Sequence, residues 1–327
     1  MDKYHFTDHQ LLGQGGFSDV YHAINQNDGQ RYAIKTFRLP SKDEDRQRVL
    51  RYYKHEAKAL TCLDHPNIVR CIDHYVQAND TPIIIMPQIE GNNLRAYIET
   101  QGILPTPIAT QIAQQVAHAL EACHHPSQAA KAKGLRPLVH NDLHPRNIIC
   151  TPATTSHTAP HCTLIDFGLS FPIDTPLTLW EKDQGVKEYK APEKWTHDTL
   201  TPATDIYSFG VLLFVLFTGR TPFVCHDYND TTAEEQLRQQ CLTAPTPSLW
   251  ALRAARYEAT YCYAPTTPDL PYWWQSIAQR CLNKDPSQRY TTATELLADI
   301  TQGMAGLCPD LWPEEKAQTE LSLTETH

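Results

Sequence analysis

Three polar residues stand out by type and spacing. In the string VHNDLHPRNIICT (residues 139–151), Asp142 and Asn147 lie five apart, and Asp166 follows in LIDFG, nineteen residues beyond Asn147. They supply one candidate general base and two oxygen ligands, a set suited to Mg²⁺ carrying nucleotide phosphates. Each alone also suits an Asx-type loop cap. Upstream, LGQGGFSDV (residues 12–20) places Gly13, Gly15 and Gly16 between two strand-like runs, where backbone N–H groups can approach phosphate oxygens; ordinary tight turns use the same pattern. Lys35 closes the strand-like Ala33-Ile34-Lys35, and Glu56 lies in a helical stretch. A lysine beneath a sheet needs a carboxylate partner, because an unpaired buried ammonium is costly. Taken alone, a strand lysine also snorkels to water.

The elements that must position these residues fall into two groups. The first thirty-odd residues alternate turn chemistry with β-branched and aromatic runs, and Asn27-Asp28-Gly29 joins two of them as a hairpin. From 43 to 63, Tyr52, Glu56, Leu60 and Leu63 recur at helical spacing, and Pro66 stops the run. Two further strand-like runs, 68–76 and 82–89, complete a small antiparallel sheet crossed by one helix. Beyond the polar connector Glu90-Gly91-Asn92-Asn93 the pattern turns helical, with Ile112, Val116, Leu120 and Cys123 marking one buried face. The polar stretches 127–136, 151–162 and 224–243 read as surface loops. Residues 309–327 carry five acidic groups against one lysine and read as a solvated, partly disordered tail.

Composition excludes several classes. The chain has 327 residues, 41% of them apolar, enough for a core and for roughly two compact units of about 150 residues. With 28 basic and 37 acidic side chains the net charge is −9, so no nucleic-acid partner is expected. The longest apolar run, 209–217, is nine residues, about half of what a membrane span requires. The N-terminal MDKYHFTDHQ has no apolar signal region, and the cytoplasm is the expected compartment. Ten cysteines without a C-x-x-C pair read as reduced, mostly buried thiols, and His124-His125 as a helix end and not a metal pair.

Taken jointly, the glycine turn, the A-I-K strand, H-x-D-x-x-x-x-N and D-F-G make the chain resemble the eukaryotic-type (Hanks-type) protein kinase family from about Tyr4 to Gly303. Later strings extend the likeness. Tyr189-Lys190-Ala191-Pro192-Glu193 is similar to the A-P-E end of the activation segment, Asp205 to Gly210 (DIYSFG) to a buried helix start, and CLNKDPSQRY (residues 281–290) to the penultimate helix and turn. The resemblance implies an α+β, bilobal protein kinase-like fold. It comprises a five-stranded antiparallel N-lobe with one helix at 1–86, a hinge at 87–93, a mainly α-helical C-lobe at 94–303 anchored by 206–217, and the acidic tail at 304–327. It implies ATP and Mg²⁺ as cofactors and a protein hydroxyl as acceptor, serine or threonine in preference to tyrosine. Lys35 would bind the α and β phosphates and pair with Glu56, Asn147 and Asp166 would hold Mg²⁺, and Asp142 would take the acceptor's proton. Leu12, Gly13, Gln14, Gly15, Gly16, Phe17 and Ser18 would cover the nucleotide. Val20 and Ala33 would lie above the adenine, Ile149 below it and Met86 behind it, with the Pro87 carbonyl and the Ile89 N–H at its edge. Glu193 would pair with Arg289.

The departures carry implications of their own. Ser18 replaces the third glycine, a change not expected to prevent ATP binding. Asn141 replaces the arginine of H-R-D, so the usual receiver of an activation-segment phosphate is missing, and competence without phosphorylation at Ser170, Thr175 or Thr178 is expected. His144 stands where serine/threonine kinases carry lysine and makes the loop similar to those of small-molecule phosphotransferases, while Arg146 sits where many tyrosine kinases carry arginine. The spacing from Gly185 to Ala191 follows the serine/threonine pattern, with Val186 replacing its usual threonine. A pseudokinase scaffold is disfavoured by the complete polar set. The acids Glu234 and Glu235 suggest basic substrates.

Overall fold

The computed structural model describes residues 4–153, 159–173, 175–224, 231–262 and 269–306. The β-branched and aromatic runs near the N-terminus form β1 (Phe6–Gln14), β2 (Ser18–Asn25), β3 (Arg31–Phe37), β4 (Asp73–Val76) and β5 (Pro82–Pro87), as their composition favours. They pair antiparallel in the order β1-β2-β3-β5-β4. The register sets Lys35 opposite Val20 on one side and Ile84 on the other, and Ala33 opposite Met86. Helix α1 (Asp43–Cys62) opens on Asp43, Glu44 and Asp45, whose charges complement the positive helix end. Its buried stripe, Val49, Tyr52, Tyr53, Glu56 and Leu60, recurs at three and four residues. Val49, Tyr53 and Leu60 join Phe37 and Ile84 of the sheet in the main core, while Ala23, Tyr32, Ile34, Ile83 and Ile85 form a second cluster on the sheet's other face. The run 68–76 pairs as a strand only from Asp73. Ile68 instead makes an isolated parallel bridge to Leu164, and the Cys71 N–H bonds back to Leu60 O.

The chain leaves the sheet through 88–91. Gly91 has φ +137°, and a Cβ there would overlap the Cys150 carbonyl, so only glycine fits the crossing. Beyond it lie β6 (Asn92–Asn93), α2 (Leu94–Gln101), α3 (Thr106–His124), α4 (Gln128–Ala132), β7 (Leu138–Val139), β8 (Ile148–Thr151), β9 (His161–Leu164), β10 (Phe171–Pro172) and α5 (Leu179–Asp183). The remainder is helical: α6 (Pro192–Thr196), α7 (Pro202–Thr218), α8 (Thr231–Thr243), α9 (Leu249–Tyr261), α10 (Tyr272–Cys281) and α11 (Ala293–Met304). Helix α7 starts at a Thr201 capping box and is buried all round from 203 to 218, as expected of a central helix with no solvent-facing side. The antiparallel fold with one crossing helix and the mainly helical second lobe agree with the bilobal architecture expected from the sequence.

Three loop expectations need correction. Residues 231–243 form α8, because Ala233, Leu237 and Cys241 recur every four residues and pack on Trp195 and Phe223. Within 127–136, Ser127 caps the short α4, and Leu135 is buried. The stretch 151–162 begins and ends in strands, with 154–158 outside the described residues, and the tail from 307 onward also lies outside them.

Candidate active site

Lys35 joins the polar residues of the two lobes. It is 5% exposed on β3, and its Nζ donates to Glu56 Oε1 of α1 at 2.6 Å and to Asp166 Oδ1 at 2.8 Å. Burial alone would lower the lysine's pKa, but the Asp166 and Glu56 charges reverse that and hold it above its ordinary value. Burial would likewise raise the Asp166 carboxyl, yet Lys35 and the Gly168 N–H (2.9 Å) draw it down to about 2. For the fully buried Glu56, burial outweighs Lys35 and pushes the carboxyl up to about 7.

A hairpin delivers the second pair of residues. Asn147 immediately precedes β8 and Asp166 closely follows β9; the register sets Ile148 opposite Leu164, and the Ile165 N–H bonds Asn147 O at 2.9 Å. Phe167, fully buried, meets the His140 ring edge-on at 4.9 Å and anchors the turn that carries Asp166. Asn147 Nδ2 donates to Asp142 O at 3.0 Å and to Asp142 Oδ2 at 3.2 Å, and the Val186 N–H donates to Oδ1 at 3.3 Å. His144 Nε2 lies 3.6 Å from Asp142 Oδ2. Burial would raise the Asp142 carboxyl, but His144 and then Lys194 hold it below the usual carboxylate value, ionised and able to accept a proton.

The loop bearing Asp142 is pinned from below. Asp205, in the first turn of α7 and fully buried, accepts the His140 N–H at 2.7 Å and the Asn141 N–H at 2.8 Å, and pairs with His124 Nε2 at 3.0 Å. Asn141 sits at φ +68°, a left-handed conformation that asparagine tolerates better than most side chains. His124 also accepts the Ala293 N–H at 3.2 Å, so it ties α3 to α7 and α11.

The glycine turn closes with the Gly15 N–H on Ser18 O at 2.8 Å, and Arg38 donates to the carbonyls of Gly15 and Gly16. Leu12, Gly13 and Gln14 lie on β1, with Leu12 exposed, and Ser18 begins β2. Phe17 at the tip turns onto Tyr52 of α1 and Trp180 of α5, at ring separations of 5.6 and 5.7 Å. Val20 and Ala33 are half-buried on neighbouring strands, Met86 is buried opposite Ala33, and Pro87 ends β5. Ile89 lies in the connector and Ile149 on β8, both half-buried.

The pair expected at Glu193 is present: Arg289 donates from Nη1 and Nη2 to its two carboxylate oxygens at 2.9 Å each, and Thr204 Oγ1 adds a bond at 2.8 Å. Sequence reasoning missed other contacts. Lys194, 2% exposed on α6, donates to Asn141 O at 2.9 Å and Asn141 Oδ1 at 2.8 Å. Arg51 of α1 bonds Glu181 of α5. No local spacing announces pairs that lie 53 and 130 positions apart. Glu234 and Glu235, read as an attraction for basic substrates, are paired with Lys187 at 2.5 Å and Arg238 at 2.9 Å, so much of that charge is compensated.

Comparisons with known proteins agree with this geometry. The protein kinase domain family matches residues 6–300. The serine/threonine-protein kinase PrkC of Bacillus subtilis is 30% identical over 292 residues, covering 89% of this chain and 39% of its own length. The probable serine/threonine-protein kinase PknB of Bifidobacterium longum is 27% identical over 311 residues, covering 92% and 40% respectively. The serine/threonine-protein kinase PknA of Mycobacterium tuberculosis is 27% identical over 305 residues, covering 92% and 61%. The chain thus spans about two fifths of the length of the first two relatives.

Proposed function

This chain belongs to the protein kinase domain family, and from that premise we propose that it transfers the γ-phosphoryl group of ATP to serine or threonine hydroxyls of proteins. The observation that carries the reading is Lys35 held between Glu56 and Asp166 beside a hydrogen-bonded Asp142–Asn147 pair. Lys35 is locked in its charged form and positions the α and β phosphates. The donor set fits Mg²⁺. Asn147 spends its amide N–H groups on Asp142, which leaves its carbonyl oxygen as a ligand, and Asp166 stays ionised. When bound, Mg²⁺ neutralises phosphate charge as the phosphoryl group moves. Asp142 orients the acceptor hydroxyl and takes its proton, and the pinned loop supplies that alignment in advance.

No helix among the described residues is long and apolar enough to cross a membrane. The free cysteines Cys62, Cys123, Cys150, Cys162, Cys241 and Cys281 are buried thiols, which supports a reducing compartment, and we place the activity in the cytoplasm. A second reading, transfer to a small-molecule hydroxyl, draws on His144 beside Asp142; the buried Glu193–Arg289 pair and the named relatives favour protein. The test is γ-phosphoryl transfer from labelled ATP with Mg²⁺, followed by phosphoamino-acid analysis, on wild type, Lys35→Met and Asp142→Asn. Phosphoserine or phosphothreonine lost in both variants is the expected result. Label on metabolites alone, or on nothing while ATP still binds, would replace this reading with the phosphotransferase or the scaffold.

A further inference from the structure

Residues 178–183 form a clasp on α1. Thr178 caps α5 in a capping box: its N–H and Oγ1 each donate to Glu181 Oε2 at 2.8 Å, and its Oγ1 accepts the Glu181 N–H at 3.3 Å. The other oxygen, Glu181 Oε1, accepts from Arg51 of α1, and the Glu181 side chain is only 6% exposed. Next to it, Trp180 stacks on Tyr52 at 6.5 Å, meets Phe17 of the glycine turn edge-on, and lies 4.5 Å beneath the Arg48 guanidinium. Arg48, Arg51, Tyr52 and Glu56 are spaced three, one and four apart, so the gripped residues share the face of α1 that ends at Glu56. One short segment therefore contacts the helix that carries Glu56 and the turn that covers the nucleotide.

We propose that Glu181 and Trp180 are positioning residues that hold α1 so that Glu56 meets Lys35, with the Glu181 carboxylate serving where an added phosphate would otherwise be needed. The inference rests on the kinase reading above. A fixed carboxylate, bonded on one oxygen by Thr178 and on the other by an arginine, supplies the anion that orders the segment, and Asn141 provides no arginine for a phosphate.

The experiment uses the unphosphorylated chain of residues 1–327, its state verified by intact mass. Glu181→Gln retains the capping box and deletes the charge, Arg51→Gln deletes the partner, and the double variant closes a cycle. Each single variant should lower kcat/KM for ATP about tenfold, the scale of one charge-assisted hydrogen bond, and the double variant should be no worse than either single. Trp180→Ala should raise the KM for ATP while unfolding temperatures shift little. Amide hydrogen exchange in α1 should accelerate in all four variants. Wild-type rates in Glu181→Gln and Arg51→Gln, or unchanged exchange in α1, would overturn the clasp. An inactive wild type would sink the kinase reading alone, because exchange in α1 reads the clasp without catalysis.

Discussion

Lys194 places a buried ammonium on both oxygens of Asn141, the residue preceding the candidate base Asp142, at 2.9 and 2.8 Å. A lysine this enclosed is rarely tolerated without partners, and its neutral acceptors here are supplemented by the Asp142 charge. The loop that presents Asp142 is thus held from both sides, by the Asp205 carboxylate on its N–H groups and by Lys194 on its carbonyl.

That burial has a consequence for stability against pH. Desolvation lowers the Lys194 pKa from 10.5 to about 8, with Asp142, Asp205 and Glu193 opposing the shift and Lys190 adding to it. Below about 8 the lysine is charged in both folded and unfolded chains, and the folded chain bears the whole desolvation cost. Between about 8 and 10.5 the folded chain has lost its proton while the unfolded chain keeps it, so stability rises with pH. Urea unfolding of wild type relative to Lys194→Met should therefore shift in favour of wild type by at most about 3 kcal/mol across that window. A difference that stays flat from pH 7 to 10 would refute a buried ammonium.

The Glu193–Arg289 pair predicts a sharper loss. Both side chains are buried, and the guanidinium also bonds Ala203 O at 2.9 Å and Asn283 O at 2.7 Å. Arg289→Met leaves the Glu193 carboxylate buried without its partner and should cost about 3–5 kcal/mol in denaturant unfolding. Adding Glu193→Met should recover part of that loss, since two apolar groups leave no isolated charge. A double variant as unstable as the sum of the singles would argue against a charge pair.

How much was legible in the sequence follows from what kind of signal each residue carries. Lys35, Glu56, Asp142, Asn147 and Asp166 were visible because their spacing is fixed by a strand, a helix and a hairpin, and those local elements dictate where side chains point. Helix α8 is hard to read from the sequence because its polar composition hides Ala233, Leu237 and Cys241 at four-residue intervals. The strand expected from Ile68 was shortened by a tertiary competitor, the bridge to Leu164, which local propensity cannot foresee. Lys194, Arg51 and Glu181 were invisible for the same reason: their meaning lies in partners brought near by the fold.

Gly91 and Gly29 offer a matched comparison. Both have positive φ, +137° and +69°, but a Cβ at Gly29 meets open space while one at Gly91 runs into the backbone of Cys150 and Thr151. Gly29→Ala should therefore cost only left-handed strain, about 1 kcal/mol. Gly91→Ala should cost more in denaturant unfolding and also weaken ATP binding, because the connector it distorts carries Ile89 between the lobes. Equal losses at the two positions would mean that the connector yields to the added methyl.

Phosphorylation of the segment that bears the clasp is not expected to be needed for activity. Ser170 is buried and its hydroxyl bonds Phe167 O at 2.8 Å, so no kinase reaches it without local opening. Thr178 is exposed, but its hydroxyl already serves the α5 cap. Triple alanine at Ser170, Thr175 and Thr178 would remove that cap together with the candidate sites, and a loss of rate would then have two causes. Ser170→Ala with Thr175→Ala and Thr178→Asn keeps an acceptor at the cap and abolishes all three hydroxyls. This variant should retain the wild-type rate of phosphoryl transfer from labelled ATP, because Glu181 supplies the anion and Asn141 receives none. A drop of tenfold or more, reversed by restoring Thr175 or Thr178 and treating with an active kinase, would show that phosphate, and not the carboxylate, orders the segment.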